Sequence, residues 1–406
     1  MSIWLDVTTT LGWRRPALGI VRVEAETARH FLNSGTSDVR FCHFDAEAGS
    51  YLEVPYGDIR TALERLDTGA SPAPTQAISP DPRTPQSMLT LPRGCVQPFN
   101  AGDVYVSLGL DWDQKDLEFL YELKQRLKLK VLLFCYDIIP ILLPTYCVSG
   151  VAEKFPRYFV DAAWCADKIL CISNCSRRDL TEFLETVGAP VPALDIVRLG
   201  NNIRPHPDAP PSTAVGELGE QRFILFVSTI EGRKNHEILC RAYKRLQEQG
   251  AEDLPLLVFV GMQGWGVETL MELLRGDAQV RSYVRILDHV SDSDLVYLYR
   301  KCMFTVYPSL YEGWGLPVAE SLAHGKFCLA SSAASIPEVG GGLIEYVEPL
   351  DDAAWAARLL WYLQNPEVVA TRESEIVRRY RDTSWQQTGA AVLSAAQGLT
   401  MSSALL

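Results

Sequence analysis

The chain has 406 residues, more than one hydrophobic core ordinarily serves, so its length predicts two domains. An apolar fraction of 47% and a charged fraction of 22% are normal for a soluble globular protein. The net charge of −12 argues against nucleic-acid binding as the main task.

The opening "MSIWLDVTTTLGWRRPALG" lacks the long apolar core and cleavage site of a signal peptide. No apolar run approaches the roughly 20 residues of a membrane span. The nearest, "VLLFCYDIIPILLP", is broken by Asp137 and Pro140. The ten cysteines are scattered and none form CxxC; Cys171 and Cys175 lie closest and flank "ISN". Reduced thiols in a cytoplasmic protein are expected.

In chain order, "SIWLDVT" reads as a strand and "GIVRVEAETARHFLNSG" as a helix, with Val21, Ala25, Ala28 and Leu32 recurring at helical spacing. The proline-rich stretch 71–92 reads as a loop. Strands follow in "DVYVSLG", "KVLLFCYDI" and "KILCIS", then a helix in "CSRRDLTEFLETVG", capped by Ser176 and ended at Gly188. Residues 204–220, rich in proline and small polar residues, read as a linker between domains 1–203 and 221–383. The second half repeats the alternation. Strands are expected in "RFILFVSTI", "LPLLVFVGM", "VRILDHV", "MFTVYPS" and "KFCLASS", and helices at 235–248, 266–275, 292–301 and 317–324. Such alternation implies an α/β protein of two doubly wound domains facing a cleft, with ligands at the carboxyl ends of the strands.

The most informative stretch is "YEGWGLPVAESLAHG", residues 311–325. Gly313 and Gly315 permit a sharp turn with backbone close to a ligand. Pro317 suits the first helical position, and the free N–H groups there, with the helix dipole, suit a phosphate. Glu320, expected in the first helical turn, can accept two hydrogen bonds from a vicinal diol such as ribose. Glu312, before the turn, can grip hydroxyls beyond the phosphates. Taken alone, the pair reads equally as a surface acid and a helix N-terminal acid. Upstream, Arg233 and Lys234 precede Asn235, a candidate helix cap, and could face the same diphosphate. An isolated Arg-Lys pair is more often simply solvated.

Five segments in order, "FVSTIEGRKNHEILCRAY", "VFVGMQGWG", "VSDSDLVYLYRKC", "VYPSLYEGWGLPVAESLAHG" and "SAASIPEVGG", resemble the donor domain of retaining GT-B glycosyltransferases of family 4. The E-x7-E pair, Glu312 and Glu320, is the strongest element. The resemblance covers most of 221–398, and "SWQQTGAAVLSAA" looks like the family's final helix, so 384–406 is expected to pack back towards the N-terminal domain. The first half is similar more loosely, through "WRRPALGIVRVEAETARHF", "CYDIIPILLPTYC" and "CISNCSRRDL". The fold so implied is GT-B, two Rossmann-like domains.

By that resemblance Arg233 and Lys234 would bind the donor diphosphate. Glu312 and the backbone of Gly313, Trp314, Gly315 and Leu316 would hold the transferred sugar, and Glu320 the ribose. Gly19, Arg22, Ser228 and Thr229 would lie on the donor side. Thr229 stands where many members carry an arginine, whose role Arg233 would assume, and Tyr136 stands where histidine is common. The family transfers with retention and without a protein nucleophile, the leaving phosphate helping to deprotonate the acceptor. Asp137, at a strand end of the first domain, is the candidate for orienting an acceptor or sugar hydroxyl; it reads equally as a turn residue.

Other features carry less. Asp111 and Asp113 in "DWD" mimic a metal-binding DxD but are expected to cap the following helix, and no metal or cofactor is expected beyond the nucleotide-sugar substrate. His236 and His324 read as helix-surface residues, "LKQRLKLK" as a solvated helix face rather than a lipid contact, and Trp265 and Trp314 as packing aromatics with stacking on a ligand as the alternative. The leading expectation is a hexosyltransferase using a nucleotide-sugar, GDP-mannose first, with mannose or a deoxyhexose transferred. Its acceptor would be a saccharide or lipid-linked, in surface polysaccharide or lipopolysaccharide assembly. It would be cytoplasmic, with peripheral contact at the inner face of the membrane left open. The alternatives are a nucleotide-sugar epimerase and a non-catalytic scaffold of the same fold.

Overall fold

A computed structural model describes residues 1–15, 17–68, 97–203 and 210–401. The 71–92 stretch and residues 204–209 of the expected linker lie outside the described residues.

Two sheets form. The first comprises β1 (Ile3–Asp6), β2 (Val39–Asp45), β3 (Ser50–Glu53), β4 (Val104–Val106), β5 (Lys130–Cys135), β6 (Lys168–Cys171) and β7 (Ala193–Ile196), in the order β3-β2-β1-β4-β5-β6-β7. The second comprises β8 (Phe223–Val227), β9 (Leu256–Val260), β10 (Val284–Leu287), β11 (Thr305–Tyr307), β12 (Cys328–Ser331) and β13 (Glu345–Val347), in the order β10-β9-β8-β11-β12-β13. All pairings are parallel except β2 with β3 at the edge of the first sheet, where Cys42 faces Glu53 and Asp45 faces Ser50. Central strands such as "FILFV" and "LLVFV" carry apolar residues at every position because helices cover both faces. Each buried Leu, Ile, Val or Phe contributes ~1.5–3 kcal/mol.

Strand order reverses between β1 and β4 in the first sheet and between β8 and β11 in the second. At such switch points adjacent loops diverge to opposite faces and open a crevice beyond the carboxyl ends. The residues that follow β8 and β11 are Ser228 to Asn235 and Pro308 to Leu316, so both motifs singled out in the sequence emerge at one switch point.

Six helices frame that crevice: α1 (Gly19–Asn33), α2 (Asn174–Val187), α3 (His236–Glu248), α4 (Leu316–Ala323), α5 (Ile336–Gly340) and α6 (Trp385–Met401). Helix α1 buries Val21, Val23, Ala25, Ala28 and Phe31. Helix α6 packs along it so closely that a Cβ on Gly389 would lie 2.5 Å from His30 Cβ. The chain passes between the sheets twice, and the two passages are bonded side by side. Asn201 N–H donates to Thr383 O at 3.0 Å, Trp385 N–H to Asn202 Oδ1 at 3.1 Å, and Thr388 Oγ1 to Arg198 O at 2.9 Å.

Several local expectations are corrected. Helix α2 is capped by Ser173, whose Oγ accepts from Ser176 N, rather than by Ser176; Gly188 ends it in a left-handed conformation at φ 72°. The Leu117–Leu127 helix is capped by Asp116, not by the DWD pair. Asp111 is instead buried against Lys115 Nζ at 2.7 Å, and Asp113 pairs with Lys154 at 2.7 Å. Lys115 also reaches Asp6 at 3.0 Å, and Glu24 of α1 joins this enclosed cluster, its carboxyl pushed up to about 7 by burial despite the Lys115 charge. Residues Thr213–Leu218, inside the expected linker, form a short helix.

Candidate functional site

The site is built around the loop that joins β11 to α4. Gly315 is the N-cap of α4 at φ 101°, a left-handed value that a side chain would strain. Gly313 has no left-handed φ; it is glycine because an added Cβ would stand 2.6 Å from Tyr136 O and 3.0 Å from Asp137. Pro317 is the second residue of α4 rather than the first, and Glu320, the fifth, lies in its second turn.

Two serines engage this loop's carbonyls. Ser335 Oγ lies 2.8 Å from Glu312 O and 3.0 Å from Trp314 O, and Ser176 Oγ lies 3.3 Å from Gly313 O. Among the described residues no group accepts the N–H of Gly313, Trp314, Gly315 or Leu316. Four successive free amides at the positive end of a helix are an anion cradle that costs no rearrangement to use. Ser335 lies in "SAASIPEVGG", yet nothing in its spacing marks it as the residue that orients this loop.

Glu312 is buried and central. Its Oε1 accepts from Lys234 Nζ at 2.6 Å, lies 3.1 Å from Arg233 Nη1, and is also hydrogen-bonded by Ser309 Oγ. Burial would raise this carboxyl, but Lys234 and Arg233 together outweigh it and hold it at about 2. Arg233 also pairs with Glu231 at 2.6 Å and donates to Tyr311 O at 2.5 Å. Lys234 sits 3.4 Å from the Tyr307 hydroxyl; burial lowers its pKa against the opposing pull of Glu312. The basic pair expected to face a diphosphate is thus engaged with two carboxylates, Glu231 and Glu312.

Asn235 is the N-cap of α3 at φ 61°, but its side chain caps nothing. It donates instead to Pro308 O at 3.1 Å and Pro349 O at 2.7 Å, tying the β8 and β11 loops together. His236 is not on a surface: it is buried between Phe226 and Phe259, 3.3 Å from Ser228 Oγ, and burial pushes its pKa down to about 3. Ser228 is buried beneath the cations, whereas Thr229 is exposed at the rim.

Glu320 receives the Tyr299 hydroxyl at 3.1 Å, and burial raises its pKa while Arg22 opposes the rise. Arg22 belongs to the other domain. Its Nη2 lies 3.4 Å from Asp292, and its guanidinium stands 5.7 Å from the Trp385 ring. Gly19, three residues earlier, opens α1 at φ 53° with nothing among the described residues within 4 Å of where a Cβ would be. Asp137 faces the basic pair from the first domain. Burial raises its pKa, Arg233 chiefly opposes, and its Oδ1 accepts from Ile139 N at 3.0 Å. Tyr136 turns into its own domain and donates to Leu108 O at 2.6 Å.

Trp314 is buried, with the Arg198 guanidinium 5.1 Å from its ring and, among the described residues, no acceptor for its Nε1. Trp265 is 40% exposed and donates Nε1 to Tyr146 O at 2.6 Å, bridging the domains rather than standing open for a ligand. His324 stacks on Tyr299 at 4.9 Å. The structure therefore gathers Arg233, Lys234, Glu312, Asp137 and the 313–316 amides at one point, with Glu320 further along α4 and Arg22 of α1 acting on it across the cleft. Thr229 stays at the margin.

Residues 212–378 match the family model described as Glycosyl transferases group 1. The chain carries a group 1 glycosyltransferase domain. O-antigen chain mannosyltransferase B of Escherichia coli is 28% identical over 280 residues, which is 68% of this chain and 72% of that protein. Serotype-specific mannosyltransferase WbdA of Escherichia coli is 28% identical over 197 residues, 46% of this chain, and the match spans only 24% of that longer protein. Among solved structures, sucrose-phosphate synthase from Thermosynechococcus elongatus superposes with TM-score 0.64 at 16% identity, covering 99% of this chain and 100% of that one. Anabaena HepE in complex with UDP-glucose gives 0.61 at 14% identity, with 100% of both chains covered. At these identities the likeness establishes the fold, which is GT-B. Among the described residues no helix is long and apolar enough to cross a membrane.

Proposed function

We propose that this chain is a retaining glycosyltransferase that moves mannose from GDP-mannose to a saccharide or lipid-linked acceptor during surface polysaccharide assembly. The observation that carries the reading is the convergence of Arg233, Lys234 and Glu312 with the free 313–316 amides at the switch point of the second sheet. The donor diphosphate lies on the amides and displaces Glu312 from the two cations. Glu312, released from the cations, then accepts hydrogen bonds from the sugar hydroxyls. Glu320 accepts from the ribose diol. The bond from the anomeric carbon to the diphosphate breaks as the acceptor oxygen bonds to the same face, and the acceptor proton passes to the departing phosphate oxygen. Arg233, Lys234 and the amides stabilise the charge that develops there, which makes a metal ion unnecessary. Asp137 orients the acceptor hydroxyl.

Mannose as the sugar is supported by the named relatives: both Escherichia coli proteins are mannosyltransferases, one of them of O-antigen chains. Work on a lipid-linked acceptor places the protein in the cytoplasm, at the inner face of the membrane. A panel of GDP, UDP, dTDP and ADP with their sugars, read by thermal shift, tests the donor. A ligand at about 100 times its Kd adds ~2.7 kcal/mol. Stabilisation by GDP-mannose alone, transfer that survives EDTA and an α-linked product support the proposal. Stabilisation by another base, or an inverted anomer, overturns the corresponding part.

A further inference from the structure

Three sets of contacts join the first two turns of α2, in the N-terminal domain, to the donor domain. Glu338 on α5 places its carboxylate over the helix start: Oε2 accepts from Asn174 N at 2.8 Å and Asn174 Nδ2 at 2.9 Å, and Oε1 accepts from Cys175 N at 2.8 Å. Tyr311 donates its hydroxyl to Asp179 Oδ2 at 2.5 Å. Ser176 Oγ lies 2.8 Å from Tyr136 O and 3.3 Å from Gly313 O, so its one proton sits between the two backbones that precede Asp137 and follow Glu312.

A complete account of the helix amides shows what this means. Ser176 N and Arg177 N are satisfied within α2, by Ser173 Oγ at 2.9 Å and Ser173 O at 3.1 Å. Among the described residues, Asn174 N and Cys175 N have only Glu338, a residue 163 or more positions away on the other domain. Helix α2 therefore completes its N-terminus only when the cleft is shut, and the partner it accepts is an anion, as the helix dipole favours.

We propose that Glu338 is a positioning residue that clasps the two domains in the geometry needed for transfer. The proposal rests on the reading of the chain as a glycosyltransferase. Glu338 touches neither substrate. It seats α2, α2 seats Ser176, and Ser176 fixes the distance between the Asp137 strand end and the Glu312 turn. Release of the clasp opens the cleft for donor entry and nucleotide exit; its closure brings the acceptor-side aspartate against the donor-side cations.

The test uses the full chain. Small-angle scattering is recorded for the wild type, Glu338→Ala and Tyr311→Phe, each alone and with GDP, alongside GDP titration calorimetry and transfer kinetics. In Glu338→Ala the radius of gyration rises and kcat falls by about 10–100-fold, the loss expected when charge-assisted hydrogen bonds are removed. The Kd for GDP, whose contacts do not include Glu338, stays within about twofold, which a general loss of folding would not allow. Tyr311→Phe moves both readouts in the same direction by less. Scattering that superposes on the wild type, or a retained kcat, overturns the proposal. If the wild type transfers no sugar, the glycosyltransferase reading fails and scattering alone decides whether the clasp exists.

Discussion

Replacing Glu312 with glutamine removes one negative charge from beneath two cations and changes little else in shape. The fall of its carboxyl from 4.5 to about 2, at ~1.4 kcal/mol for each pH unit, corresponds to roughly 3 kcal/mol of favourable interaction in the folded state. Glu312 is buried, so solvent screening takes little from that figure. The variant should be less stable by about 2–3 kcal/mol, and its melting midpoint should drop by roughly 5–10 °C for domains of this size. The pH dependence follows from the sign. A depressed carboxylate contributes fully above 4.5, and the contribution is lost as pH falls towards about 2. The difference between wild type and Glu312→Gln should therefore be flat from about pH 5 to 8 and shrink below that. Melts at a series of pH values, with and without GDP, measure both effects. Because the freed cations no longer have Glu312, GDP should raise the variant's midpoint by more than it raises the wild type's, while transfer is lost. A variant that melts within about a degree of the wild type at neutral pH, or a gap that widens on acidification, refutes the reasoning.

Other perturbations are read in the same way. Glu24, with its carboxyl raised to about 7, favours the folded state fully only below 4.5, and that advantage is lost as pH rises through about 7. Glu24→Gln should consequently melt above the wild type at pH 7.5 and at or below it at pH 4.5. Gly313→Ala drives a Cβ into Tyr136 O, a backbone atom that cannot rotate away, and should abolish transfer while lowering stability by ~1–3 kcal/mol; parallel melts and activity assays check it. Glu320→Gln should weaken GDP by about tenfold yet leave 2′,3′-dideoxy-GDP nearly unaffected, as measured by calorimetry, if the carboxylate holds the ribose diol.

Much of the fold was legible because its signals are local and redundant. The strands β1, β4, β5, β6 and β8 to β12 announce themselves as apolar runs between helical repeats. What escaped were β2 and the antiparallel β3 at an edge, β7, whose residues alternate in exposure, and the three-residue β13. At the site, the glycine turn and the basic pair were legible as residue types. Their mutual arrangement was not, since the pairing of Lys234 with Glu312 spans 78 positions and depends on two loops meeting at a switch point. His236 misled for a related reason. A polar residue just past a basic pair looks solvated, but helical phase turns it inward between two phenylalanines. Glu338 and Ser335 were invisible in a different sense. Each acts on backbone atoms, and a backbone partner leaves no complementary residue in the sequence to reveal it.

The two passages of the chain between the sheets, bonded side by side at residues 198–202 and 383–388, have a consequence for how the molecule can be divided. The donor domain is in effect an insertion within the other domain, since α6 returns to complete the layer that α1 begins. Ends placed near 203 and 384 would free the inserted half as a continuous module. The outer half would be discontinuous, a body and a detached helix to be supplied in trans or rejoined by a short tether. Exchange of donor specificity between such proteins by recombination is accordingly simplest as a cassette with both junctions in this paired strap, where one hydrogen-bonded seam replaces another.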